Sequence, residues 1–176
     1  MKGTEPITRN NHGPCHMDPE GVRIRLASAA DMPAMINVIN AAFAIEDFIE
    51  GTRTDEARLA EAMRNGEFLV AQDDAGGIMA CVYVDIYGER GYFGMLAVDP
   101  AWKGQGLGRK MIEAAEAHCR KHSCKFMDID VLSLRPELPP FYRKLGYIES
   151  GTGEFRPSRP LKPGYQCHVI KMSKNL

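Results

Sequence analysis

Apolar and polar residues alternate over several short stretches of the chain, and each such stretch predicts a β-strand. The clearest cases are Val22 to Leu26, where arginines separate the apolar side chains, and Phe126 to Leu132. Short runs rich in apolar residues predict five more strands: Glu67 to Ala71, Ile78 to Ile86, Tyr92 to Val98, Tyr147 to Ser150 and Tyr165 to Met172. A long loop rich in Pro, Gly and Arg, Gly151 to Gly164, is expected before the last strand.

Other stretches repeat their apolar residues at a spacing of three and four, which predicts helices. The first helix follows Ser28 or Asp31 as a cap, with Pro33 in its first turn, and a second runs from Thr54 or Asp55 through Met63. A third runs from Leu107 to about Lys121. Its predicted apolar face comprises Leu107, Met111, Ala114, Ala115 and His118. A short fourth helix follows the prolines of residues 134–140 and ends at Gly146.

The order of these elements predicts a mixed sheet. Three strands joined by hairpins, between residues 67 and 98, form an antiparallel meander. The strand ending at Val98, the helix from Leu107 and the strand from Phe126 form a right-handed parallel crossover.

The turn between that strand and that helix carries glycine at every second position, namely Gly104, Gly106 and Gly108. The first N–H groups of a helix have no partner within it and lie at the positive end of the helix dipole. Glycines leave room for a phosphate to approach these groups, and Lys103 and Arg109 add positive charge. The turn is therefore predicted to bind a diphosphate or triphosphate group.

Two common phosphate-binding motifs do not fit this turn. A P-loop requires a Lys followed by Ser or Thr after its last glycine, whereas Gly108 is followed by Arg109-Lys110-Met111. The dinucleotide motif G-x-G-x-x-G has Arg109 where its third glycine belongs. The pattern [QR]-x-x-G-x-[GA] does fit, with a lysine in its first position at Lys103.

This pattern, preceded by L-A-V-D-P, resembles the acyl-CoA pyrophosphate loop of the GNAT N-acetyltransferase superfamily. A second motif about 35 residues further on, F-Y-R-K-L-G-Y at Phe141 to Tyr147, is similar to that family's F-Y-x-x-x-G-[FY]. The resemblance extends from about Val22 to Lys174. Two departures stand out: Lys103, where Arg or Gln is usual, and Arg135-Pro136 with Pro139-Pro140, where many members have an Asn and an Ala.

The resemblance implies an α/β (α+β) fold with a mixed, mostly antiparallel sheet of six to seven strands and about four helices. It implies acetyl-CoA as the acyl donor and direct transfer to a primary amine, with no metal. Tyr142 would be the catalytic residue that protonates the departing sulfur, and a backbone N–H near Leu96 or Val98 would stabilise the oxyanion. The implied acetyl-CoA-binding residues are Leu96, Ala97, Val98, Lys103, Gly104, Gln105, Gly106, Leu107, Gly108 and Arg109.

The sequence identifies neither the general base nor the acceptor. Candidates for the base are Asp128, Asp130, Glu46 and Glu89, or a chain of waters. In the family the connection between the first two helices lies beside the acceptor entrance, which makes Glu46, Asp47, Phe48 and Glu50 candidates for acceptor choice. These acidic residues suit a cationic small amine or a basic peptide, whereas Arg156 and Arg159 suit an anionic acceptor. The alternative to an enzyme is a GNAT-like module that binds acyl-CoA without catalysis.

Composition and charge indicate the compartment of the protein and the classes of partner that it does not favour. A net charge of −1 gives no electrostatic case for a nucleic-acid partner, and no apolar run is long enough to span a membrane. Five scattered cysteines and a start without an apolar signal segment predict a cytoplasmic protein with reduced thiols. Residues 1–20 are expected to form a mobile tail, and residues 21–176 a single domain; a vector origin of the first sixteen residues is an alternative that the sequence leaves open. A homodimer is possible, although no sequence feature decides it.

Overall fold

The computed structural model describes residues 16–17, 21–156 and 159–176 of the chain. Eight strands form one sheet in the order β1-β2-β3-β4-β5-β6-β8-β7. Their bounds are β1 His16–Met17, β2 Arg23–Leu26, β3 Glu67–Gln72, β4 Ile78–Tyr87, β5 Arg90–Val98, β6 Phe126–Leu132, β7 Ile148–Glu154 and β8 His168–Asn175. The fold class is confirmed, with the two-residue β1 as an additional strand at one edge.

Four α-helices cover the two faces of this sheet. They are α1 Met32–Phe43, α2 Glu56–Asn65, α3 Leu107–Lys121 and α4 Leu138–Lys144. Side chains of α1 and α2, among them Met35 and Leu59, pack with Phe68 on one face. On the other face, Met111 of α3 and Tyr142 of α4 belong to the larger core. Within residues 21–156 and 159–176, no helix has the length and apolar character needed to cross a bilayer.

The strands are antiparallel except where β5 lies beside β6. This parallel pairing joins Arg90–Tyr92 to residues 126–128 and goes no further. Past Tyr92, β5 continues to Val98 beside β4, while β6 continues to Leu132 beside β8. Among the described strands, none pairs with β5 on its β6 side after Tyr92, so the two strands at the middle of the sheet diverge there.

The predicted loop from Gly151 to Gly164 and the predicted strand from Tyr165 are wrong in their bounds. Strand β7 runs on to Glu154, which pairs with His168 at the start of β8. The strand is exposed along nearly its whole length, so its sequence shows no alternation of apolar and polar residues. Its extended backbone is instead held by hydrogen bonds to β8, which local sequence does not reveal.

Most of the predicted N-terminal tail, residues 1–20, lies outside the residues that the structure describes. Residues 16–17 pair with Ile24 and Arg23 of β2. Residues 1–15 and 18–20 are not described, so a mobile or vector-derived tail stays a prediction.

Candidate active site

The turn from Lys103 to Gly106 joins β5 to α3 through a short 3₁₀ helix, Pro100–Trp102. Gly104 and Gly106 have backbone φ angles of 81° and 79°, a region that favours glycine. A Cβ atom at either position would meet nothing within 4 Å, so both face open space. No side chain caps the start of α3, and its first internal bond runs from the Lys110 N–H to the Gly106 carbonyl. The N–H groups at the helix start are therefore open to a ligand.

The predicted acetyl-CoA-binding residues differ in the exposure of their side chains. Lys103, Gly104, Gln105 and Arg109 are exposed, and Arg109 forms an ion pair with Glu113. The side chains of Ala97 and Leu107, by contrast, are buried in the two cores. Ala97 and Leu107 can therefore contribute only backbone groups to a ligand.

A β-bulge interrupts β5 close to the point where it leaves β6. Gly94 pairs with Tyr83 and Ala97 with Cys81, which leaves two residues of β5 opposite one of β4. Met95, within the bulge, has φ 46°, a value that is uncommon for a residue with a side chain. The bulge redirects the β5 backbone at the diverging edge, where the sequence predicted the oxyanion donor.

Tyr142 lies on α4 beside this part of β5. Its ring is buried, with the ring centroids of Phe93 6.1 Å and of Tyr147 5.9 Å away. Burial raises the pKa of the Tyr142 hydroxyl to about 12, although nearby Arg135 opposes the shift. No residue in the described ranges hydrogen-bonds this hydroxyl. Tyr142 thus has the protonated form that a general acid needs, together with a hydroxyl that a ligand can use.

Glu46 is a buried carboxylate between two arginines. Arg135 Nη1 donates to Glu46 Oε1 at 2.9 Å, while Arg53 Nη1 is 3.5 Å from Glu46 Oε2. Arg135 also donates from Nε to Glu137 at 2.6 Å. These contacts fix the connection after α1 to the segment that precedes α4, and they place Arg135 close to Tyr142.

Three of the four carboxylates considered as a general base have other partners. Asp128 accepts from Arg90 Nε and Nη2, at 2.7 and 2.6 Å, and from the Tyr87 hydroxyl at 2.8 Å. Burial opposes ionisation of Asp128, but these bonds prevail and lower its pKa. Glu89 forms an ion pair with Lys125, and Glu46 lies between its two arginines.

Asp130 is the fourth of these carboxylates. It lies two residues further along β6 and accepts no hydrogen bond from the described residues. Partial desolvation raises the pKa of Asp130. The positive charge of Lys171 opposes this shift, and the negative charge of Asp128 adds to it. Among the four, Asp130 is therefore the carboxylate best suited to accept a proton.

A pocket of about 410 Å³ opens on the α1–α2 side of the bulge. Its lining residues are Arg53, Thr54, Arg58, Glu61, Ala62, Asn65, Tyr83, Met95, Phe155 and Arg156. The ring of Tyr83 is 6.5 Å from that of Tyr92, the last β5 residue paired with β6. The pocket thus lies beside the diverging strands. The acidic residues Asp47 and Glu50 are exposed but do not line it.

Sequence reasoning did not single out Arg53, Tyr83 or Tyr92 as site residues. They come from three separated segments, and no local motif marks them. Arg135 was noted only as a departure from the family pattern, although it proves to join the two sides of the site.

Residues 64–149 match the family model of the acetyltransferase (GNAT) domain. This segment contains β5, the glycine-rich turn, α3 and Tyr142, which are the elements of the site described above. The chain therefore carries an acetyltransferase domain of the GNAT family.

Two curated relatives match most of the chain. Mycothiol acetyltransferase of Propionibacterium freudenreichii is 26% identical over 171 residues, which cover 92% of this chain and 54% of that protein. Glucosamine 6-phosphate N-acetyltransferase 1 of Oryza sativa is 27% identical over 144 residues, which cover 75% of this chain and 84% of that protein. The chain thus spans about half the length of the first relative and most of the second.

Solved structures of low sequence identity share the fold. The ribosomal-protein-S18-alanine N-acetyltransferase from Escherichia coli has a TM-score of 0.70 at 18% identity, with 88% of this chain and 93% of that chain covered. A GNAT family acetyltransferase from Elizabethkingia anophelis, solved with acetyl-CoA bound, has a TM-score of 0.70 at 15% identity, with 89% of this chain and 99% of that chain covered. These similarities establish the fold alone.

Proposed function

We propose that this chain is an N-acetyltransferase that moves the acetyl group of acetyl-CoA directly to a primary amine. One structural relationship carries the proposal. The unpaired edge of β5 leads through the short 3₁₀ helix into the open turn at the start of α3, and Tyr142 lies beside the same strand. This arrangement supports the proposal, because acetyl transfer from CoA requires a seat for the pyrophosphate, an extended backbone edge and a proton donor along one path.

The turn and the start of α3 would hold the pyrophosphate of acetyl-CoA. The open N–H groups there supply hydrogen bonds, and the glycines at 104 and 106 leave the approach clear. Lys103, which is exposed on the turn, adds a positive charge.

The unpaired edge of β5 would hold the pantetheine arm in the manner of an added strand. An N–H of Leu96 or Val98, just past the bulge, would donate to the thioester carbonyl oxygen. Such a donor stabilises the negative charge that this oxygen acquires when the amine attacks the carbonyl carbon.

Acetyl transfer from the thioester to the amine can proceed in one direct displacement with the residues of this site. The neutral amine forms a C–N bond to the carbonyl carbon, the C–S bond breaks, and the Tyr142 hydroxyl gives its proton to the departing thiolate. The attacking nitrogen loses a proton to solvent or to Asp130, and solvent restores the proton on Tyr142. The products are the acetylated amine and free CoA.

The acceptor is proposed to be a small-molecule amine in the cytoplasm. The two curated relatives are a mycothiol acetyltransferase and a glucosamine 6-phosphate N-acetyltransferase, both named for small molecules. A pocket of about 410 Å³ is of a size suited to such molecules. A peptide amine is the alternative acceptor.

A thiol-release assay tests this function. The protein is mixed with acetyl-CoA and a panel of amines that includes glucosamine 6-phosphate, amino acids, polyamines and a short peptide, and the free CoA thiol is measured. At least one amine should raise thiol release well above the rate without acceptor. Tyr142→Phe should lower kcat for that amine by about 10²-fold or more without changing the Kd of acetyl-CoA. Acetyl-CoA binding without turnover of any amine would favour the non-catalytic module.

A further inference from the structure

The pocket beside the bulge is lined by three arginines and one glutamate, which gives it a positive lining. The arginines are Arg53, Arg58 and Arg156, and the glutamate is Glu61. Arg58 is paired with Asp55, and Arg156 with Glu154 on the exposed surface. The charges of Arg58 and Arg156 are therefore in part neutralised by these neighbours.

The guanidinium of Arg53 is largely enclosed yet makes no hydrogen bond to any residue in the described ranges. Its side chain is 27% exposed. Its nearest carboxylate oxygen, Oε2 of Glu46, is 3.5 Å away, and that oxygen has no hydrogen-bond partner. Glu46 directs its other oxygen to Arg135. The Arg53 guanidinium lies over the Phe43 ring, with Cζ 4.7 Å from the centroid, so the edge N–H groups that do not face Glu46 remain available.

Arg53 is also firmly positioned. The next residue, Thr54, is buried and bonded through its backbone to the Asn40 side chain of α1, with N–O distances of 2.9 and 3.1 Å. A planar guanidinium that has edge donors besides the Nη1 group facing Glu46, and that is held in place at the wall of a pocket, is suited to bind a carboxylate or phosphate.

The acidic residues that suited a cationic acceptor do not reach this pocket. Glu46 is buried between arginines, and Asp47 and Glu50 are exposed and do not line the pocket. From these contacts, we infer that the acceptor is a small primary amine that also carries an anionic group, a carboxylate or a phosphate, and that Arg53 binds this group. The inference rests on the proposed function, and it adds the chemical class of the acceptor.

Matched pairs of ligands test the inference through binding, without need of turnover. The pairs are phosphoethanolamine with ethanolamine, and L-phenylalanine with L-phenylalaninamide; each pair differs in the anionic group and keeps the amine. Binding is measured by calorimetry in the presence of saturating CoA, which cannot donate an acetyl group. The wild type should bind the anionic member of at least one pair tenfold or more tightly, and the stronger pair identifies phosphate or carboxylate as the preferred group.

Arg53→Gln should remove this preference by weakening the anionic ligand 10- to 100-fold and leaving its uncharged partner unchanged. Arg64→Gln is the control, because Arg64 lies exposed on α2 and does not line the pocket. It should bind like the wild type. The melting temperatures of both variants show whether they are folded.

Three results would overturn the inference: no preference in either pair, a preference that survives in Arg53→Gln, or no binding of any anionic member at 10 mM. Failure of the proposed function has a different signature. In that case CoA does not bind, or the anionic amine binds but is not acetylated when acetyl-CoA replaces CoA.

Discussion

Arg135 and Glu46 are 89 residues apart in sequence, and their side chains meet with Nη1 and Oε1 at 2.9 Å. The carboxylate of Glu46 is buried, and a second arginine, Arg53, is 3.5 Å from its other oxygen. One carboxylate thereby connects the arginine next to Tyr142 with the arginine at the wall of the proposed acceptor pocket. This contact therefore joins the two halves of the proposed site.

The substitution Glu46→Gln should destabilise the fold by about 2 kcal/mol, because it leaves two arginines without their buried counter-charge. Urea unfolding measures the loss. Glu50→Gln is the matched control, since Glu50 is exposed on the same connection, and it should change stability by less than about 0.5 kcal/mol. Equal stability of Glu46→Gln and wild type would show that the carboxylate does not hold the two segments together.

The pH dependence of kcat should carry no descending limb from Tyr142 within the usual assay range. Burial raises the pKa of its hydroxyl to about 12, so the acid form prevails at every pH from 6 to 10. Activity should rise with pH as the acceptor amine and the base lose protons, and then level off. A limb that falls near pH 8 or 9 and disappears in Tyr142→Phe would contradict the assigned state of this residue.

Gly106→Ala should weaken acetyl-CoA binding as well as the fold. A φ of 79° strains an alanine, at a cost of about 1–2 kcal/mol, and relief of the strain would reorient the N–H groups at the start of α3. Gly88→Ala is a matched control. Gly88 also has positive φ and open space around it, but it lies in the turn between β4 and β5. Both variants should lose stability, whereas only Gly106→Ala should raise the Kd of acetyl-CoA; equal Kd values would exclude the turn as the binding site.

Asp31 should make the fold sensitive to acid. A bidentate contact with Arg25, at 2.8 Å for each bond, holds the pKa of this carboxyl well below its usual range. Because the folded-state pKa is the lower one, this stabilisation is present above the ordinary aspartate pKa, near 4, and is lost as the pH falls below it. Asp31→Asn should be less stable than wild type at pH 7, and this difference should shrink steadily as the pH falls from 5 to 2. A stability difference in urea that is the same at pH 7 and at pH 2 would refute this.

The sequence was sufficient to predict the central part of the fold. Strand β5, the glycine-rich turn and α3 were predicted within two residues, because an apolar run, three spaced glycines and a helical repeat are all local signals. The parallel pairing of β5 with β6 followed from the strand–helix–strand order of this segment.

Features that depend on distant partners could not be predicted from local patterns. Glu116 was not recognised as a core residue, yet it is buried and accepts from the Tyr147 hydroxyl and from Lys174, both at 2.8 Å. His118, placed on the apolar face by the helical repeat, lies instead at its margin beside Glu67. The pocket arginine Arg53 was missed for the same reason, since its role depends on Asn40 and Glu46.

A calorimetric titration with acetyl-CoA, alongside free CoA and ATP, is the first test of acyl-CoA binding by this chain. We predict that acetyl-CoA and CoA each bind at one site per chain and that ATP does not compete with them. At a hundredfold excess over Kd, each CoA species should stabilise the fold by about 2.7 kcal/mol. If neither CoA species bound at millimolar concentration, the turn from Lys103 to Gly108 would not be an acyl-CoA site and the proposed function would be wrong.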